Sequence, residues 1–234
     1  MKPLRVLGII PARGGSKRVP GKNVARVAGK PLIEHAIRAA RASKKLDAFL
    51  VSTDSPAIAK TARALGADVP FLRPKEFATD RSPDIEYARH ALEWWDAHRD
   101  WKPDIIVLLP PDVPLRTGKD IDRVIAMLID EDLDSVRTIA GPMRHPPIKA
   151  MWIKGKGALI DPLHPEFVGK PSQTIPEYYL SVGVAYATRA VFVRKGKLWG
   201  PRVGGCVVAP EKALEIDEPG HLRQAQRLFR TPKR

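Results

Sequence analysis

Short apolar runs that stop at Pro, Gly, Asp or Ser, each followed by a segment with helical spacing, recur along this chain and restrict its fold more than any other feature. Such alternation is the pattern of strands feeding helices in a mostly parallel sheet wound on both faces. Residues 4–10 form the first candidate strand. A loop to about Lys30 follows, then a helix from near Pro31 with Leu32, Ile33, Ala36, Ile37 and Ala40 on one face. Phe49, Leu50 and Val51 form a second strand, and a helix carrying Ile58, Ala62 and Leu65 runs until Gly66. The spacing predicts a helix over 84–98 whose Trp94 and Trp95 serve the core. It also predicts the most apolar strand over 105–109 and a helix over 119–130. Residues 182–187 and 206–208 read as later strands, and 219–229 as a closing helix with Leu222, Ala225 and Leu228 inward. Between them, 141–176 loosens into an excursion rich in Pro and Gly. The expectation is a single α/β domain over 1–234 with that excursion inside it.

No apolar run approaches the roughly 20 residues a membrane span needs, so a membrane protein is not expected. Met1-Lys2-Pro3 leads straight into the first strand, a pattern of neither a signal nor a transit peptide. With Cys206 the only cysteine, an intrachain disulfide is impossible and a cysteine-based zinc site is unsupported, which makes a cytoplasmic location the expectation. The net charge of +14 favours anionic partners: nucleic acid, a membrane surface or small polyanions. Apart from a basic tail over 223–234, Lys and Arg are interspersed with Asp and Glu, without the concentrated stripe of a duplex-binding face. A non-catalytic nucleic-acid-binding protein is the rival reading from another class.

The loop after the first strand reads P-A-R-G-G-S-K-R-V-P-G-K-N. Gly14 and Gly15 can adopt backbone angles closed to other residues and bring N–H groups close to phosphate oxygens. Arg13, Lys17 and Lys22 can neutralise a triphosphate, the arginine in a forked pairing and the lysines as point charges. With Ser16 among them, these residues suit a nucleoside triphosphate at a strand's C-terminal end, where open α/β sheets bind ligands. A second loop of this kind, 110–117, carries Asp112, and Asp217 stands just before the last helix. Aspartates in such bends usually cap helices, and a carboxylate beside a triphosphate can also hold a magnesium ion.

Pro11-Ala12-Arg13-Gly14-Gly15-Ser16-Lys17-Arg18 with Pro20-Gly21-Lys22-Asn23 resembles the opening motif of the acylneuraminate (sialic acid) cytidylyltransferases. The likeness continues in order through Val51-Ser52-Thr53-Asp54, Leu72-Arg73-Pro74, His90-Ala91-Leu92, Pro114-Leu115-Arg116-Thr117, His145-Pro146-Pro147-Ile148-Lys149, Gly183-Val184-Ala185-Tyr186 and Ile216-Asp217. It implies a Rossmann-like nucleotidyltransferase fold that transfers CMP from CTP to a 2-keto-3-deoxy sugar acid, a nonulosonate such as a sialic acid, and releases pyrophosphate. It further implies that residues 13–22 hold the CTP phosphates, with Asn23 and Arg73 at the cytosine. Homodimers are implied as well, the 141–176 excursion reaching the neighbouring subunit's acceptor site.

Around Asp112 the likeness shifts. Pro110-Pro111-Asp112-Val113-Pro114-Leu115 resembles the Q-G-D-E-P-L of 3-deoxy-octulosonate cytidylyltransferases more than the Q-P-T-S-P-L-R of sialic acid synthetases, and Asp217-Glu218-Pro219 resembles their D-T-P. This implies Asp112 and Asp217 as magnesium ligands, with Glu215 as a third. Pro110, Ser172 and Val182 stand where the sialic acid enzymes carry polar groups, which implies a different acceptor or a rearranged pocket. Lys149 is retained and is assigned to the acceptor carboxylate, with Lys170 as a substitute. Tyr186 packs against the acceptor or fills the core, and His145 takes a structural or dimer-contact role. An eight-carbon ulosonate, or another small anion such as a phosphonate, is the alternative acceptor.

Overall fold

The computed structural model describes residues 3–142, 151–154, 159–162 and 164–230. The chain runs through β1 (Val6–Pro11), β2 (Arg26–Val27), β3 (Lys30–Pro31), α1 (Leu32–Ala42), β4 (Ala48–Ser52), α2 (Pro56–Ala64), α3 (Asp84–His98) and β5 (Ile105–Leu108). It continues through α4 (Gly118–Asp130), β6 (Ser135–Ala140), β7 (Met151–Lys154), β8 (Leu159–Pro162), β9 (Leu180–Arg189), α5 (Ala190–Arg194), β10 (Val203–Val208) and α6 (Pro219–Arg230). Six strands form the main sheet in the order β10-β6-β9-β5-β1-β4. β9 runs antiparallel to both β5 and β6, and the other neighbours pair in parallel. The expected fold, mostly parallel and doubly wound, is the one observed.

Period-two alternation sends the side chains of β1 and β5 to opposite faces. Val6, Ile10, Ile105 and Val107 pack onto Ile33 and Ile37 of α1, Ile58 of α2 and Ile121 and Ile125 of α4. Leu7, Ile9, Ile106 and Leu108 face the other way, onto Tyr87, Leu92 and Trp95 of α3 and Val193 of α5. Because helices cover both faces, neither can be polar, and the strands read as unbroken apolar runs. Each fully buried Leu or Ile there contributes about 1.5–3 kcal/mol over its exposed state. Trp95 belongs to this core.

Local chemistry sets the helix ends. The Ser55 hydroxyl accepts from the Ile58 N–H with Pro56 in the first turn, which starts α2. Thr117 and Asp120 form a reciprocal capping box at α4. Gly118 is required there for another reason: a Cβ on it would lie 2.5 Å from the Ala42 carbonyl at the end of α1.

β6 was not anticipated. Its sequence, S-V-R-T-I-A, carries three polar residues in six, and tertiary partners absorb them. The Ser135 hydroxyl lies 3.2 Å from that of Thr188, Thr138 donates to the Val182 carbonyl at 2.5 Å, and the Arg137 guanidinium lies 4.2 Å from the Trp199 ring centroid. Within the 141–176 stretch, β7 and β8 pair only with each other among the described residues.

The topology also positions a crevice. The chain leaves β1 for β4 on one side and later returns to β5 on the other. The carboxyl ends of β1 and β5 therefore flank a switch point, where ligands bind in open sheets.

Candidate active site

The loop leaving β1 is pinned to its neighbours. Ala12 N–H donates to the Ser52 carbonyl at 2.9 Å and Gly14 N–H donates to Asp54 Oδ1 at 2.8 Å. Gly14 and Gly15 were expected to use backbone angles closed to other residues. Neither has a positive φ; Gly21 has one, at +64°, where it starts the turn that presents Lys22 and Asn23. The Gly14 N–H is likewise engaged by a carboxylate, and the Ser16 N–H donates to the Gly14 carbonyl at 3.1 Å.

Lys22 reaches across the crevice. Its ammonium lies 2.8 Å from Asp112 Oδ2 and 3.4 Å from Asp217 Oδ1. Asp112 follows β5, and its carbonyl accepts from the Ile216 N–H at 2.8 Å, a clasp that brings Asp217 alongside. Asp112 caps no helix, since the capping box of Thr117 and Asp120 serves α4. Two carboxylates that converge on one ammonium also converge on any cation that takes its place. Their all-oxygen donors suit a hard divalent ion such as magnesium, which completes its shell with water and substrate phosphate. Glu215 lies near both aspartates, with one oxygen already engaged: its Oε1 accepts from the Gly183 N–H at 2.5 Å. Burial raises its pKa, and the nearby Asp112 and Asp217 add to the rise. Among the described residues no three His, Cys, Asp or Glu side chains cluster as a ready metal site.

Lys22 and Asp112 border a cleft of about 280 Å³ whose walls also include Arg13, Asn23, Arg73 and Asp84. Asn23 is buried and its amide N–H donates to the Arg13 carbonyl at 2.9 Å, while its Oδ1 has no hydrogen-bond partner among the described residues. A buried acceptor left unpaired costs about 1–3 kcal/mol, so a ligand donor is the natural complement. Arg73 is buried beneath the cleft. It donates to the Ser52 hydroxyl at 3.0 Å, to the Ser52 carbonyl at 2.5 Å and to the Phe77 carbonyl at 3.4 Å, and its guanidinium lies 4.9 Å from the Tyr87 ring centroid. Burial lowers its pKa.

The far wall, residues 77–87, was missed. Asp80 pairs with Arg13 at 2.8 Å and with Lys17 at 2.6 Å. Asp84 lies in the cleft wall with its pKa raised by burial. T-D-R-S-P-D read as the entry to a helix, and nothing local marks those aspartates as facing the loop after β1, more than sixty residues earlier. Arg116 was quoted only as part of a motif. It is buried, donates to the carbonyls of Pro110, Gly183 and Val184, and so ties the Asp112 loop to β9; burial pushes its pKa down to about 10.

Of the expected acceptor residues, Tyr186 and Lys170 do not line this cleft. Tyr186 on β9 is half-buried, edge-on to Trp199 at 5.8 Å. Lys170 is exposed over the Phe167 ring at 4.9 Å. Lys149 and His145 lie outside the described residues, as does the side chain of Ser172. Val182 closes an apolar cluster with Val113, Ala140 and Val208. A second hollow of about 530 Å³ opens beyond Glu215 and Asp217, bounded by Ser181, Val182 and His221.

A doubly wound sheet with a cation-rich loop and two converging aspartates at its switch point defines a nucleotide-using α/β enzyme. Residues 7–150 match the family model described as cytidylyltransferase, and the chain belongs to that family. It is 38% identical over 164 residues to the CMP-N,N'-diacetyllegionaminic acid synthase of Legionella pneumophila, covering 68% of this chain and 67% of that protein. To the N-acylneuraminate cytidylyltransferase of Escherichia coli O18:K1:H7 it is 26% identical over 92% of its length, yet it spans only 49% of that enzyme. The fold matches a solved CMP:2-keto-3-deoxy-manno-octonic acid synthetase complexed with CTP, with a TM-score of 0.72 over 96% of this chain and 98% of that one at 19% identity. The resemblance read from the motifs therefore holds.

Proposed function

We propose that this chain transfers CMP from CTP to the anomeric hydroxyl of a 2-keto-3-deoxy sugar acid, a nonulosonate of the sialic or legionaminic acid kind, and releases pyrophosphate. The observation that carries this reading is the convergence of Lys22, Asp112 and Asp217 at the end of β5, across one cleft from Arg13 and Asn23. The names of the Legionella and E. coli relatives support the acceptor class. In this reading the triphosphate lies along residues 13–22, and Arg13 and Lys17 offset the charge gathering on the leaving pyrophosphate. The unpaired Asn23 Oδ1 accepts from the exocyclic amine of cytosine, while the N–H groups of Arg73 not used by Ser52 and Phe77 face the ring acceptors.

Magnesium held by Asp112 and Asp217, with the remaining oxygen of Glu215 as a third candidate, would withdraw charge from the α-phosphate. The acceptor oxygen bonds to the α-phosphorus as the bond to the bridging oxygen breaks and the hydroxyl proton passes to solvent, so no covalent enzyme intermediate is required. On the acceptor side, Lys149 and Lys170 are the carboxylate candidates and Tyr186 a packing surface. The 141–176 excursion serves a homodimer, and the enzyme works in the cytoplasm. An eight-carbon ulosonate is the second reading, favoured by the D-x-P setting of Asp112.

Pyrophosphate release with each of the four ribonucleoside triphosphates, magnesium and a panel of sugar acids tests this. CTP with a nonulosonate should turn over at least about tenfold faster than with the eight-carbon acid. Equal turnover with ATP defeats the cytidine assignment, and preference for the eight-carbon acid selects the second reading.

A further inference from the structure

Three of the four cations in the loop after β1, Arg13, Lys17 and Lys22, are paired with carboxylates, and the pairs fall into two groups. Lys22 is held by Asp112 and Asp217, while Arg13 and Lys17 are both held by Asp80. The Asp80 carboxylate uses one oxygen on each cation, the geometry a phosphate group would adopt between the same two side chains. We infer that Asp80 is a built-in competitor for the terminal phosphates, a latch that occupies their position between Arg13 and Lys17 and must be displaced when a triphosphate enters.

The turn that carries Asp80 is built to present it. Thr79 N–H donates to the Ser82 hydroxyl at 3.1 Å, the two hydroxyls lie 2.8 Å apart, and the Ser82 hydroxyl donates to the Glu76 carbonyl at 2.8 Å. These bonds fix the backbone on either side of Asp80 while its side chain stays partly exposed, as does that of Arg13; Lys17 is 83% exposed. The Lys17 hydrogen bond, then that of Arg13, hold the carboxyl below its ordinary range, so it is charged at neutral pH. Exposed pairs of this kind are individually weak, which suits a contact that must open in every cycle. A latch that closes most free molecules lowers apparent ligand affinity by the fraction left open. Because the carboxylate is tethered, it also re-forms the pair as soon as pyrophosphate loosens, which favours product release.

The inference rests on the triphosphate reading of the loop, and inorganic pyrophosphate separates the two. Asp80→Asn in the full chain removes the competing charge while keeping the shape. Calorimetric titration with pyrophosphate and, separately, with CTP, each with magnesium, should show about three- to tenfold tighter binding to D80N than to the parent. Product inhibition by pyrophosphate should strengthen in step, and the gain should shrink in a Lys17→Ser background, where one arm of the latch is already gone. Asp80→Ser repeats the measurement should the amide bring contacts of its own. Unchanged affinity means that Asp80 is only a surface partner, and weaker affinity means that it orients the cations for the substrate; either overturns the latch. Tighter pyrophosphate binding to D80N with no measurable CTP binding to either protein keeps the latch and removes the cytidylyl reading. CTP binding that is equal in both proteins does the reverse.

Discussion

Lys22 sits between two acids that its own removal would leave facing each other. In the metal-free protein Lys22→Ala should lower the melting temperature, and magnesium should raise it by more than in the parent, because the ion then relieves an uncompensated pair. Turnover should fall at least about tenfold for this variant and for Arg13→Ala, as for other lost cations facing a polyphosphate. Pyrophosphate release and thermal shift with and without magnesium read both effects. Asp112→Asn separates ligand from cap. Asparagine caps as well as aspartate, but Asp112 caps nothing here, so the substitution should lose most activity and regain part of it in excess magnesium or with manganese. The losses for Asp112→Asn and Asp217→Asn should be non-additive when combined. A fully active D112N enzyme with parental magnesium dependence would refute the two-aspartate site. At this scale residues 13, 17 and 22 could be singled out because a cation-rich loop after a strand declares itself locally, whereas residues 112 and 217 stood out as ligands only through the family resemblance. Asp80 and Arg116 were not legible, since the cations that Asp80 holds are 63 or more residues away and the partners of Arg116 are backbone carbonyls.

At the scale of elements, α1 organises two packing arrangements that sequence periodicity cannot separate. At its C-terminus it meets Gly118 of α4, and Gly118→Ala should destabilise the fold by about 1–3 kcal/mol through overpacking, readable as a lower urea midpoint with unchanged slope. Near its start, His35 Nε2 lies 2.9 Å from the Val27 carbonyl, and the ring lies 4.9 Å from that of Phe229 on α6. Burial lowers the His35 pKa, so the folded state prefers the neutral ring. The stabilisation is complete above the unfolded value of about 6.5 and is lost as pH falls below it. Urea midpoints should therefore drop more for the parent than for His35→Gln between about pH 7.5 and about pH 5.5. An equal drop would show that His35 is indifferent to protonation in the fold. Helices α1 to α4 and α6 and most of the buried parallel strands were legible from their periods, whereas the five-residue α5 was not. β6 was not, because its polar side chains meet Val182, Thr188 and Trp199, which only the folded sheet brings near.

For the whole molecule, the excursion makes the oligomeric prediction. Sedimentation at about micromolar concentration should show two chains per particle, and a species of one chain alone would remove the shared acceptor site. Among the described residues no helix is long and apolar enough to cross a membrane. Composition, the alternation of apolar runs with helical spacing, and the ordered motifs were sufficient for the fold class and the family, because both depend on local patterns that survive in one dimension. The placement of β9 between β5 and β6, antiparallel to each, had no such pattern: a strand buried on both faces reads the same in either direction. Nor did the pairing of loop cations with particular carboxylates. The sequence supplies 40 Lys and Arg against 26 Asp and Glu, and which of them meet depends on the crossovers that carry residues 80, 112 and 217 to one crevice. Chemistry of residue types was written in the chain; their partners were decided by topology, because charges act over a few ångströms in space whatever their separation in sequence.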